Sequence, residues 1–168
     1  MYKVSQLEAE FKKKLITADE AAAMVKPGDR LHFGTGCGAI VDLDKAIAKR
    51  AHELRDVTVL STVSIRKGPF ETYKATENNE QVRFYSAHFS GNDRNMSRDG
   101  RCWYIPMLFC ELPFLWTNNK NDIDIAMFQV APMDAFGNFN LGPQVADMWG
   151  VIKAAKKIIA GSDIISSC

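Results

Sequence analysis

Apolar and polar positions along this chain recur in two rhythms, and each rhythm predicts an element. The β-branched run "VTVLST" (Val57–Thr62) reads as a buried strand. "QVRFYSAHF" reads as another, with Val82, Phe84 and Ser86 on one face, and "RLHFG" from Arg30 as a third. "DIDIAMFQVAP" (Asp122–Pro132) is the strongest strand of all, apolar on both faces in its middle, as a strand covered on both sides requires. A helical period runs through "VDLDKAIAKRAHELR", which should bury Val41, Leu43, Ile47, Ala51 and Leu54, and through "VADMWGVIKAAKK". "TADEAAAMV" opens on Thr17 with Glu20 three residues later, the pattern of a capping box. "KPGDR" makes a turn, "KII" (Lys157–Ile159) opens a last strand, and Gly137-Asn138 in "MDAFGNFNLG" predicts a hairpin with a short return strand.

Strand and helix alternate at the length of βαβ units. The expected fold is therefore α/β: one domain over residues 1–168, with an open, mostly parallel sheet flanked by helices and a β-hairpin extension. In such sheets ligands gather beyond the carboxyl ends of the strands. Here those ends are the loop Gly34–Gly38 and the stretches "STVSIRKG", "SAHFSGNDR" and "APMDAFGN", which hold the chain's unusual polar residues.

Composition narrows the function classes. The 168 residues, 46% hydrophobic and 24% charged, are enough for one cored domain and too few for two. A formal net charge of +1 makes no electrostatic case for nucleic acid or for an acidic membrane surface, and Lys12, Lys13 and Lys14 read as a solvated helix face. Cys37, Cys102, Cys110 and Cys168 show no C-x-x-C spacing, so neither a metal site nor a disulfide framework is expected. No stretch nears the roughly 18 apolar residues of a membrane span. With no signal-peptide pattern at the N-terminus, the expected compartment is cytoplasmic and reducing.

Gly34-Thr35-Gly36-Cys37-Gly38, between a strand and a helix, is compatible with backbone N–H groups facing an anion or a carbonyl oxygen. It serves equally as a tight turn. It is neither G-x-G-x-x-G nor a P-loop. Ser61, Thr62 and Ser64 bring hydroxyls to a strand end, either for a ligand oxygen or to cap the next helix. His88 stands near Asn92, Asp93 and Arg94, a polar group able to orient Arg94 toward an anion. Cys37 lacks the His–Asp company of a nucleophile.

Taken together, "VKPGDRLHFGTGCGAIVDL", "FYSAHFSGNDR", "WYIPMLFCELP", "DIAMFQVAPMDAFGNFNLG" and "DMWGVIKAAKKII" resemble one family in order and spacing. It is the acetyl-CoA hydrolase/transferase superfamily, and within it the butyryl-CoA:acetate and 4-hydroxybutyrate CoA-transferases. The resemblance runs from about residue 10 to Ile159 and is to the N-terminal half only. Ile40 departs from it, standing where the family loop usually has proline, and so does "AGSDIISSC" after Ile159.

The resemblance implies a half-enzyme that moves CoA between an acyl-CoA thioester and a short-chain carboxylate, with no permanently bound cofactor. The family's nucleophile is a glutamate of the C-terminal half, whose motif is absent from this sequence; Glu111 in "CELP" is a poor substitute. The substrate-binding residues expected here are Gly34, Gly36, Gly38, Ser64, His88, Asn92, Arg94 and Gln129, with no catalytic residue and no metal ligand. The expected partners are the C-terminal half and further copies of the chain, docked through Trp103, Ile105, Met107, Phe114 and Trp116. Two other readings stand beside it: a non-catalytic, partner-binding fragment, and a small phosphosugar-isomerase-like enzyme, which would want a lysine- and acid-lined phosphate loop.

Overall fold

The computed structural model describes residues 4–118 and 122–162. Six strands form one sheet: β1 (Arg30–His32), β2 (Val57–Ser61), β3 (Val82–Ser86), β4 (Cys102–Tyr104), β5 (Ile123–Gln129) and β6 (Ala155–Gly161). Their spatial order is β4-β3-β2-β1-β5-β6, and every neighbouring pair is parallel. The chain winds outward from β1 to β4, then returns to lay β5 on the other side of β1. That reversal makes β1 the topological switch point.

Helices α1 (Val4–Lys14) and α2 (Ala18–Ala22) precede β1, and α3 (Val41–Lys49), α4 (Glu71–Ala75), α5 (Gly91–Arg98), α6 (Leu112–Asn118) and α7 (Met148–Ala154) connect the strands. One core cluster joins Leu31, Val57, Val59, Val82, Phe84, Ile125 and Met127 of the sheet to Leu43 and Ile47 of α3. The second joins Leu60, Ala126 and Phe128 to Leu112 and Trp116 of α6 and Met148 and Val151 of α7. Strand alternation explains the division, because successive side chains of one strand point to opposite faces. With both faces covered, even the polar side chain that ends β1, His32, is fully buried.

Local chemistry acts as the sequence predicts at several points. The Thr17 hydroxyl accepts the Glu20 N–H at 3.1 Å, and Glu20 Oε2 accepts the Thr17 N–H at 2.7 Å, completing the capping box of α2. Leu43, Ile47, Ala51 and Leu54 are buried as expected; Val41 at the start of α3 is 40% exposed. The helix itself ends at Lys49, and Ala51–Glu53 is a 3-10 turn.

The expected parallel α/β sheet is present, parallel throughout, and two other expectations are corrected. "MDAFGNFNLG" turns without a return strand. Its backbone closes through Ala131 N–H to Asn140 O at 2.8 Å. Asp134 organises the turn by accepting the N–H groups of Phe136 and Asn138, a side chain satisfying backbone that a ladder would otherwise pair. The apolar run from Cys102 to Trp116 is not one surface. Its start is edge strand β4, its end is α6, and Trp116 lies in the core at 2% exposure while Phe114 remains exposed at 66%. Ile105 and Met107 are half-buried. No helix among the described residues is long and apolar enough to cross a membrane.

Candidate functional site

Beyond the carboxyl ends of β2 and β3 lies a groove of about 600 Å³, lined by Ser64, Ile65, Arg66, Ser90, Gly91, Asn92, Arg94, Asn95 and Arg98. Its lining includes three arginines and no carboxylate. The amino end of α5 opens into it, capped by Ser90, whose hydroxyl accepts the Asp93 N–H at 3.3 Å while Asp93 Oδ2 accepts the Ser90 N–H at 2.7 Å. A helix amino end adds partial positive charge to the arginines. Arg66 is fixed in place by buried Asp44, which takes its guanidinium at 2.7 Å and also accepts the N–H groups of Glu71 and Thr72 at 2.8 and 3.0 Å. Asn92 Nδ2 donates to Arg66 O at 2.8 Å, joining the two walls, and Arg94 donates to Phe89 O at 2.9 Å. At the groove's inner end Ser64 is 4% exposed and its hydroxyl has no partner.

The glycine loop sits beside this groove, and its glycines have distinct reasons. Gly34 and Gly36 take φ of +70° and +62°, left-handed conformations that other residues adopt at a cost. Gly38 has no such angle, but a Cβ there would stand 1.5 Å from Gln144 Oε1. The loop extends the parallel pairing of β1 and β2 by a bridge between Gly36 and Ser64, with Gly36 N–H donating to Val63 O at 2.7 Å. Gly38 N–H donates to Thr35 O at 3.0 Å, and Gln129 N–H to Gly38 O at 2.8 Å. Two N–H groups read from sequence as anion donors therefore serve the fold. Gln144 also donates to Gln129 O, so the chain itself fills the crevice between the ends of β1 and β5.

Beneath the loop, at the start of α7, Asp147 is fully buried. It accepts Thr35 Oγ1 at 2.6 Å, Thr62 Oγ1, and Trp116 Nε1 at 2.8 Å. His32 Nε2 stands 4.0 Å away. Burial pushes the His32 pKa down against the pull of Asp147, so the imidazole is neutral. Burial alone would raise the Asp147 pKa; the facing His32 and the three donors outweigh it, and the net direction is downward. The Cys102 thiol is driven up to about 12, mainly by burial and then by Asp93, which removes it from nucleophilic chemistry.

Of the residues singled out in the sequence, Ser64, Asn92 and Arg94 meet in the groove, and Gly36 adjoins it through Ser64. Gly34 and Gly38 pack against Gln144. Gln129 acts through its backbone. His88 is exposed and outside the groove lining. Arg66, Arg98, Gln144 and Asp147 were not anticipated. The i, i+4 spacing of Arg94 and Arg98 on one helix was legible; the others depend on distant partners.

The profile of the acetyl-CoA hydrolase/transferase N-terminal domain matches residues 1–163. Butyryl-CoA:acetate CoA-transferase of Anaerostipes caccae is 36% identical over 150 residues, 89% of this chain and 33% of that protein. 4-Hydroxybutyrate coenzyme A transferase of Clostridium kluyveri is 28% identical over 152 residues, 89% of this chain and 34% of its own length. Among solved structures, RipA from Yersinia pestis aligns with a TM-score of 0.77 at 25% identity, over 92% of this chain and 37% of that one. 4-Hydroxybutyrate CoA-transferase from Porphyromonas gingivalis shares the fold, with a TM-score of 0.61 at 18% identity over 91% of this chain and 34% of that one. The chain spans about a third of the length of the curated relatives it matches.

Proposed function

The chain belongs to the acetyl-CoA hydrolase/transferase family as its N-terminal domain, and from that premise we propose that it forms one wall of the site of an acyl-CoA:carboxylate CoA-transferase. The observation that carries this reading is the groove: an unpartnered buried hydroxyl, Ser64, at the inner end of a channel lined by Arg66, Arg94 and Arg98. Such a channel suits an anionic substrate, and a short-chain carboxylate is the one the reaction requires. Asn92 and Ser90 add polar atoms on the same side.

In the proposed reaction a glutamate carboxylate attacks the thioester carbonyl, and the C–S bond breaks to release CoA thiolate and leave a mixed anhydride. The thiolate then attacks the glutamyl carbonyl, expelling the first carboxylate and forming a glutamyl-CoA thioester. An acceptor carboxylate reverses both steps. Covalent catalysis divides the transfer, and each tetrahedral intermediate needs donors at its oxyanion. The CoA thioester is substrate, not resident cofactor. The nucleophile is assigned to the C-terminal half because the family's glutamate motif is absent from this sequence; Glu111 here is exposed and its carboxylate accepts the Leu108 N–H at 3.1 Å. Further copies of the chain and the remaining part of the enzyme are the proposed partners. Leu108, Phe109, Phe114 and Trp149, all more than half exposed near α6 and α7, support a covered face there. The phosphosugar reading gains nothing from the loop, whose Gly36 and Gly38 amides are occupied.

The test is reconstitution. The chain alone should give no acetyl-CoA from butyryl-CoA and acetate. Mixed with the remaining two-thirds of a homologous enzyme it should give turnover, with a hydroxylamine-sensitive glutamyl thioester on the added part. No turnover in a mixture that forms a stable complex would favour the partner-binding reading. A thioester trapped on this chain would refute the assignment of roles.

A further inference from the structure

Asp147 is far in sequence from every side chain that donates to it, and the reaction proposed above gives it no task. It stands at the N-cap position of α7, yet its side chain makes no capping bond to that helix. The carboxylate is turned instead toward Thr35 in the glycine loop, Thr62 at the end of β2 and Trp116 in α6. A buried anion is tolerated where donors surround it, and these three donors belong to three separate elements. Buried polar atoms without partners collect at the same place. His32 Nδ1 and Nε2, Ser64 Oγ and Gln144 Oε1 account for four of the seven among the described residues. Such atoms are rare in folded proteins and point to a site kept for something other than packing.

The loop needs an external hold. Gly34 and Gly36, in left-handed conformations, have no side chain to keep them there, and glycine backbone has many alternatives. Thr35 between them is 3% exposed and bound to Asp147. On the other side Thr62, also bound to Asp147, lies two residues before Ser64, which pairs with Gly36. One carboxylate thus grips both sides of the Gly36–Ser64 bridge.

We propose that Asp147 is a positioning residue: it fixes the glycine loop against the Ser64 turn and so sets the separation of two walls of the acyl-CoA site. The identity of the ligand rests on the CoA-transferase reading; the hold on the loop does not. The test uses the 168-residue chain and amide hydrogen exchange followed by NMR. In Thr35→Val the Gly36 and Gly38 amides should exchange about tenfold faster or more, while Phe84 and Met127 in the sheet change less than about twofold, as expected for local opening. Thr35→Ser should restore slow exchange. Asp147→Asn should loosen the same amides and also shift the Trp116 indole N–H resonance, which Thr35→Val leaves in place. Unchanged loop exchange in Thr35→Val, or acceleration spread evenly over the sheet, would overturn the proposal, and this variant decides even if Asp147→Asn fails to fold. In a second arm butyryl-CoA binding is measured by calorimetry. Wild-type binding with about tenfold loss in Thr35→Val supports the proposal, and equal affinities oppose it. If the wild-type chain binds no butyryl-CoA, the CoA-transferase reading of this wall fails while the exchange arm still judges Asp147.

Discussion

Lowering the pH from 7.5 to 5 should destabilise this protein through one side chain, His32. In the unfolded chain its imidazole takes a proton near the ordinary value of 6.5; in the fold it is buried and held neutral, with its pKa lowered. Below pH 6.5 the unfolded state therefore binds one more proton than the native state, and stability falls with pH at up to about 1.4 kcal/mol per unit. That slope caps the loss between pH 6.5 and 5 at about 2 kcal/mol, which for a chain of this size corresponds to a fall in Tm of at most roughly 4–8 °C. Asp147, the charged group facing His32 at 4.0 Å, opposes the shift without reversing it. Its own lowered pKa means that stability is lost only below its ordinary 3.8, outside this window. Glu20, Glu53 and Glu71, also lowered from 4.5, likewise act below it. Thermal unfolding at half-unit pH steps measures the slope, and His32→Leu should flatten it. NMR gives a check that needs no variant: the folded His32 ring should titrate below the ordinary 6.5. A ring titrating near 6.5, or a slope that survives His32→Leu, would refute the argument.

The glycines of the loop should separate by mechanism. Gly38→Ala drives a methyl group into Gln144 and should cost about 2–3 kcal/mol in chemical denaturation, whereas Gly36→Ala meets open space and should cost only its left-handed angle, about 1–2 kcal/mol. Equal losses would show that the Gln144 contact is not what selects glycine at position 38. The exposed Leu108, Phe109, Phe114 and Trp149 should make the chain self-associate at micromolar concentration. Sedimentation velocity showing only an 18.8 kDa species would remove that face from the proposed interface.

Much of the architecture was legible because it is written over short distances. The β-branched run Val57–Ser61 and the alternation along Val82–Ser86 mark strands from within each stretch, and Thr17 and Glu20 meet across three residues. The doubly covered strand Ile123–Gln129 announced itself by being apolar on both faces. From these the α/β fold followed, and with it the placing of Ser64, Asn92 and Arg94 beyond the carboxyl ends of β2 and β3. Short edge strand β4 was lost in an apolar run because three residues carry too little periodicity to stand out.

The floor of the site belongs to tertiary structure alone. Thr35 and Asp147 are separated by 112 positions, Thr62 and Asp147 by 85, and Trp116 and Asp147 by 31. No local pattern links such residues, because their meeting depends on the return of β5 beside β1 and the placing of α7 over that junction. The same reversal decided the glycines. In the sequence Gly34, Gly36 and Gly38 looked alike, and a turn or a ligand served equally well as their reason. Two proved to be chosen by backbone angle, and Gly38 by a side chain 106 residues further along the chain that needs the space a Cβ would take. Periodicity tells a residue which face it occupies; what stands opposite is settled when the sheet closes.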